Sequence, residues 1–154
     1  MAKEIFAENV NYWKTGRSAT DRWLKMAKDE IKAVGGQILG EMQGGDYSGR
    51  YAFMLYFSIA GDQFKLVWPV LKSKSGNDQA ARIQAATALY HDVKAKCVAL
   101  KFRGARAAFA GEQLLPDGRT VAEVTNPELV EALPQMVTGA PRRLVASQKD
   151  PESA

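Results

Sequence analysis

The clearest pattern in the chain is an alternation of large apolar residues between positions 51 and 59. Every second position is apolar, which places these side chains on one face of a β-strand: Tyr51, Phe53, Leu55, Phe57 and Ile59. Gly61-Asp62 then predicts a two-residue type II′ turn with glycine first. Pairing across that turn gives four apolar pairs: Ile59–Phe64, Phe57–Leu66, Leu55–Trp68 and Phe53–Val70. The sequence therefore predicts a hairpin with one hydrophobic face.

A helix is predicted before the hairpin. Ser18 or Thr20 offers an N-cap, and Gly35-Gly36 offers a C-terminal stop. Between them, apolar residues recur at helical spacing: Trp23, Met26, Ala27, Ile31 and Val34.

A longer helix is predicted after the hairpin, from a cap at Asn77 or Asp78 to Gly111. Its apolar positions alternate in steps of three and four, and we call them the seam: Ile83, Ala86, Tyr90, Val93, Cys97, Leu100, Gly104 and Ala107. So narrow a stripe can pack into a core or against a partner helix.

The rest of the chain adds shorter elements. Residues 37–42 predict a strand, and 113–115 and 120–124 predict two very short strands around Pro116-Asp117-Gly118. Asn126 is expected to cap a last helix over 127–133.

These elements predict one α+β domain over residues 18–133. A three-stranded antiparallel sheet packs one face on two helices, in the order α-β-β-β-α, with a short C-terminal extension. Double-stranded-RNA-binding domains share this order of elements, and the likeness is one of element order alone. Residues 1–17 are expected to form an arm pinned by apolar side chains, and 134–154 a disordered tail. The pinning side chains are Ile5, Phe6, Tyr12 and Trp13.

Composition is that of a globular protein of 154 residues, with 46% hydrophobic and 25% charged residues. The net charge of +4 is compatible with an acidic partner such as nucleic acid. Cys97 is the only cysteine, so no intrachain disulfide can form. No secretory signal or membrane-length apolar run is visible, and we expect a cytoplasmic protein without membrane contact.

Catalytic chemistry finds little support in the sequence. His91 is the single histidine and Cys97 falls on the seam, where a buried structural thiol is the favoured interpretation. One His and one Cys cannot supply a usual zinc set. No phosphate loop or nucleophile elbow occurs. We expect a non-enzymatic protein without a metal or cofactor.

Basic residues give the strongest functional signal. Five flank the seam or lie near its end: Lys94, Lys96, Lys101, Arg103 and Arg106. Such cations can follow a phosphate backbone, and they also solvate ordinary surface helices. Arg50, Tyr56 and Lys65 lie on the hairpin face opposite the core, where they add charge and stacking. Arg119 lies at the tip of the Pro116-Asp117-Gly118 turn. These nine residues form the predicted nucleic-acid site.

Three features together resemble a family of small bacteriophage and prophage proteins. They are the helix–hairpin–long helix order, the Lys-Ala-Lys of residues 94–96 and the LLPDGRTVAEV of residues 114–124. The resemblance covers roughly residues 18–133, and only its last segment is specific. It implies a phage or mobile-element accessory protein and brings no activity and no catalytic residues. Pro141-Arg142-Arg143 departs from the more apolar ending of that family.

Two functions follow as hypotheses. The first is an accessory protein that binds DNA or RNA through its basic helix. The second is an interaction module for a host or phage protein, or a homodimer, in which the seam contacts a partner helix. In the second case Tyr90→Glu is expected to abolish the dimer.

Overall fold

A computed structural model describes residues 4–15 and 18–138. Its main elements are α1 (Thr20–Ala33), β1 (Gln37–Gly45), β2 (Tyr51–Ile59), β3 (Asp62–Val70) and α2 (Asp78–Arg103). The strands form one antiparallel sheet in the order β1-β2-β3. The predicted α+β fold and its α-β-β-β-α order are thus confirmed.

The hairpin turn lies one residue earlier than predicted. Ala60 and Gly61 both have positive φ, 53° and 86°, as a type I′ turn requires. Ile59 therefore faces Asp62 and Phe57 faces Phe64, so the predicted pairs are wrong by two residues. A type I′ turn follows the twist of the strands, which offsets the strain at Ala60. A shift of two residues preserves the predicted hydrophobic face.

The main core lies between that face and helices α1 and α2. The helices run in parallel, since Trp23 contacts Tyr90 at 5.4 Å between ring centroids and, two turns further along each helix, Glu30 lies close enough to Cys97 to affect its pKa. Seam residues Ala86, Val93 and Cys97 are buried there. The middle of the seam is therefore core, which leaves little of it exposed to a partner helix.

Two helix ends differ from prediction. Ala19 is the N-cap of α1 and no side chain caps it, so neither Ser18 nor Thr20 has that role. Asn77 does cap α2, through Oδ1 and the Ala80 amide. The long helix does not continue to Gly111, because Gly104 ends it with φ 85°. A one-turn helix α3 (Ala105–Ala108) follows.

The other face of the sheet is covered as well. A 3-10 turn (Ala110–Glu112) leads to the LLPDGRT segment, which is followed by α4 (Val121–Thr125), α5 (Pro127–Glu131) and a 3-10 turn at Gln135–Val137. Leu133 and Val137 form a second core with residues of β2 and β3: Ala52, Met54, Tyr56 and Val67. The expectation of an outward hairpin face is wrong because this extension buries it.

Three predictions for this extension need correction. Residues 121–125 form helix α4 where a short strand was expected. The predicted last helix exists as α5, but the Asn126 side chain does not cap it. Ordered chain continues past 133, since Pro134 and Val137 are buried. Residues 139–154 of the predicted tail lie outside the described residues.

A buried ion pair fastens the extension to the sheet. Lys65 Nζ on β3 lies 3.1 Å from Glu123 Oε1 on α4, and both side chains are 1% exposed. The same ammonium donates to the carbonyl oxygens of Gly118 and Val137, each at 3.3 Å. Glu123 also completes a capping box with Thr120. The Glu123 carboxylate thus caps the N-terminus of α4 and also neutralises the Lys65 ammonium on β3.

Breaking this pair is expected to destabilise the protein strongly. We expect Lys65→Met and Glu123→Gln each to cost about 3–5 kcal/mol, because each leaves a buried polar partner uncompensated. The double variant should lose less than the sum. Urea denaturation measures the free energies, with Lys25→Met as control, since the exposed Lys25–Asp29 pair should contribute little to stability. Additive losses in the double variant would show that the two groups do not stabilise each other.

The N-terminal arm docks through polar contacts. Glu8 accepts hydrogen bonds from the amides of Lys74 and Ser75 and from the hydroxyls of Ser73 and Ser75, at 2.7–3.0 Å. Gln84 Nε2 donates to three arm carbonyls: Ala7, Val10 and Asn11. These polar contacts hold the arm to the body, whereas Ile5, one of the apolar side chains expected to pin it, is exposed.

Arm docking is expected to weaken in acid. Desolvation alone would raise the pKa of Glu8, but hydrogen bonds from Ser75, Lys74 and Ser73 outweigh it and hold the pKa well below its ordinary 4.5. A depressed pKa stabilises docking above pH 4.5, and this contribution is lost as the pH falls below that value. The Ala7 amide, bonded to Lys72 O at 2.8 Å, reports docking through its hydrogen-exchange protection factor.

Glu8→Gln should lower that protection factor at pH 7, whereas the exposed Glu4→Gln should not. Unchanged protection in Glu8→Gln would mean that the carboxylate does not hold the arm.

Candidate functional site

Two of the nine predicted contact residues are inaccessible to a ligand. Tyr56 and Lys65 were expected on an open sheet face, but they are 0% and 1% exposed. The C-terminal extension covers both of them. They stabilise the fold and cannot contact nucleic acid in this structure.

Four more of the predicted residues are held in ion pairs. Arg106 binds Asp62 through two nitrogens at 2.8 and 3.0 Å. Arg119 pairs with Asp117, and Arg50 pairs with Asp46. The hydrogen bond from Arg106 lowers the pKa of Asp62. Each guanidinium has its positive charge largely compensated.

Lys96 is the fourth residue of this kind. Its ammonium lies 2.9 Å from Asp92 and 3.0 Å from Glu112. Partial burial acts to lower the pKa of Lys96, but Glu112 and Asp92 outweigh it and raise the pKa. The side chain links α2 to the turn that begins the C-terminal extension, and two carboxylates balance its charge.

The remaining three cations lie on the last three turns of α2, Lys94 and Lys101 on one side of the helix and Arg103 about half a turn around it. Lys94, Lys101 and Arg103 are exposed and form no ion pair within residues 4–15 and 18–138. Phe102 lies between the last two and is 86% exposed. Val98, one turn earlier, is 51% exposed. We call these five residues the α2 terminal surface.

Sequence reasoning missed the apolar part of this surface. Val98 and Phe102 fall between the seam positions Cys97, Leu100 and Gly104, where a core-facing helix normally has polar residues. A large apolar residue off the seam was therefore a readable signal. Phe102 and Val98 together form a small exposed apolar patch, and apolar patches on a surface can mark interaction sites.

Over the described residues as a whole, charge is nearly balanced. Five of the 21 basic and two of the 17 acidic residues lie outside the described ranges, which leaves sixteen basic and fifteen acidic residues in the described part. The body therefore has almost no net charge, and a nucleic acid would depend on locally uncompensated cations.

His91 and Cys97 have structural surroundings. The His91 ring stacks on Tyr12 of the arm, with 5.1 Å between centroids. Cys97 is buried, and desolvation, together with the Glu30 charge, raises the pKa of its thiol to about 11. A thiol with so high a pKa supplies almost no thiolate at neutral pH.

Within residues 4–15 and 18–138, no three His, Cys, Asp or Glu side chains are grouped to hold a metal ion. No helix among those residues combines the length and apolarity needed to cross a bilayer.

Comparison of the chain with protein-family models, curated proteins and solved structures found no match.

Cys97 is expected to be unreactive while the protein is folded. Its raised pKa and burial should slow modification by 5,5′-dithiobis(2-nitrobenzoate) at pH 8 by at least tenfold relative to the unfolded chain. Absorbance of the released thiolate measures the rate, with and without urea. A folded-state rate equal to that of the unfolded chain would show that the thiol is accessible.

Proposed function

We propose that the protein is a non-enzymatic accessory protein that binds single-stranded nucleic acid through the α2 terminal surface. One observation carries the proposal, which is an exposed Phe102 between two exposed cations without ion pairs. Such an arrangement provides a ring for a base and ammonium and guanidinium groups for adjacent phosphates. The resemblance to phage proteins supports an accessory role in a phage or mobile element.

Single strands fit this surface better than a duplex. Stacking on an aromatic ring requires an unstacked base, which a duplex offers only after local opening. The site has three cations on about three helical turns, which is a small number for a protein that binds a duplex. Stacking contributes about 1–3 kcal/mol per base, so affinity should be modest and little dependent on sequence.

Salt dependence follows from the number of cations. Each phosphate contact on a single strand adds roughly 0.7 to the slope of log affinity against log salt. Lys94, Lys101 and Arg103 together should give a slope of roughly −2, or about a 20-fold loss from 50 to 200 mM salt.

The test is fluorescence anisotropy with a labelled 15-mer of deoxythymidine, its RNA counterpart and a duplex of equal length. We expect binding to the single strands at 50 mM salt. Lys101→Glu/Arg103→Glu should weaken it at least tenfold, because attraction becomes repulsion. Phe102→Ala should cost about 1–3 kcal/mol through lost stacking.

Arg22→Glu/Lys25→Glu on α1 is the matched control, since both residues are exposed and the net charge changes equally. This variant should retain most of the affinity. An equal loss would assign binding to diffuse charge, and no binding at 20 mM salt would reject the proposal.

A second candidate is a contact with a protein partner or a second copy through Val98 and Phe102. These side chains lie four residues apart on one helix face and are both exposed, which favours an apolar contact. A complex weakened by Phe102→Ala, but indifferent to salt and to Lys101→Glu/Arg103→Glu, would support this function over the first.

A further inference from the structure

The outer edge of β3 borders a cavity of about 360 Å³. Its two long walls belong to different layers of the fold. Ala85 and Ala88 of α2 lie on one side, and Ala122 and Leu129 of the C-terminal extension lie on the other. The sheet edge itself contributes Val67 and its neighbours. The two layers thus extend past the edge of the sheet and leave a slot where a fourth strand would lie.

Backbone groups of β3 point into this slot. Leu114 N donates to Gln63 O at 3.1 Å, so the backbone N–H and C=O of Gln63 face away from β2. Strand backbone alternates with period two, and the N–H and C=O of Val67 therefore face the slot. Pro69 also falls on this alternation, where its missing N–H costs no bond to β2.

Val67 is buried, and its outward N–H and C=O have no partner among the described residues. Buried backbone groups are almost always paired.

Segments of the chain already pair with both ends of this edge. Gln113 forms an antiparallel bridge with Phe64, at the start of β3. Beyond the other end, the Ala7 amide of the arm donates to Lys72 O at 2.8 Å. Between them β3 continues over residues 65–70, or roughly 20 Å of extended backbone. Other segments of the chain thus pair with this edge at two places, and the section of the edge between them is open.

The residues that line the slot determine which side chains a bound segment can have. Small residues at 85, 88 and 122 leave space for larger side chains on both sides of an added strand. The charged groups at the slot are already paired, Lys65 with Glu123 and Glu112 with Lys96. A charged occupant would lose hydration without gaining a counter-ion.

We propose that the slot binds an extended, uncharged, apolar segment of a partner protein, which adds to the sheet as a fourth strand beside β3. Backbone hydrogen bonds to Val67 hold the segment, and alternate side chains enter the two apolar walls. This site is separate from the α2 terminal surface and independent of its function.

The test is nuclear magnetic resonance on the full chain with the peptide acetyl-Thr-Val-Thr-Val-Thr-amide. We expect binding in the submillimolar range and at least tenfold slower hydrogen exchange of the Val67 amide. Two analogues N-methylated at alternate residues should differ, because only one has methyl groups on the edge that faces β3. Equal binding of both analogues, or no binding of the parent at millimolar concentration, would overturn the proposal.

Ala88→Phe fills the slot from α2 and should abolish peptide binding, while Ala95→Phe, on an exposed part of the same helix, should not. Ala88 belongs to neither core, so the fold should survive, which the amide spectrum checks. A Val67 amide that is protected in the free chain, but not in Leu144→Ser/Val145→Ser, would show that the chain fills its own slot. That result would also overturn the proposal.

Discussion

The three-layered arrangement depends on the neutralisation of one charge, the ammonium of Lys65. This group is placed by β3 in the middle of a sheet face that is otherwise apolar. Burying an uncompensated ammonium would be prohibitive. Glu123 and the carbonyls of Gly118 and Val137 supply what the group needs, and all three come from the C-terminal extension. When the C-terminal extension docks, it therefore covers the outer face of the sheet and neutralises Lys65 at the same time.

The same requirement explains the LLPDGRTVAEV segment in structural terms. Gly118 has φ 87°, which glycine adopts without strain, and its carbonyl points at Lys65. Thr120 and Glu123 form a capping box that starts α4. Arg119 is tied to Asp117 within the turn. The most specific motif of the chain is thus accounted for by docking of the extension, and the functional proposals rest on other residues.

Much of the fold was predictable because its signals are local. Alternation fixed the inner face of the hairpin, and helical spacing fixed the inner faces of α1 and α2. The turn position was missed because Ala60 adopts a positive φ that alanine seldom takes. Burial of the outer face was missed because Lys65 meets its partner 58 positions later in the chain. Thr120 and Glu123 did carry the capping-box signature, which would have predicted α4.

The candidate site was less predictable for a related reason. Which cations remain uncompensated depends on carboxylates distant in sequence, such as Asp62, 44 residues before Arg106. Local sequence shows a basic stripe but not its counter-ions. Phe102 was visible as an apolar residue off the seam, and only its exposure shows that nothing in the described chain covers it.

The buried Lys65 on β3 also matters while the chain is being synthesised. The ribosome delivers the hairpin well before residues 118–137, so Met54, Tyr56 and Val67 stay uncovered for a time during synthesis. A nascent apolar sheet face invites association with other chains. A lysine in its centre, still hydrated at that stage, opposes such association, as inward-pointing charges do in natural sheets. Lys65 would then protect the unfinished protein before it anchors the finished one.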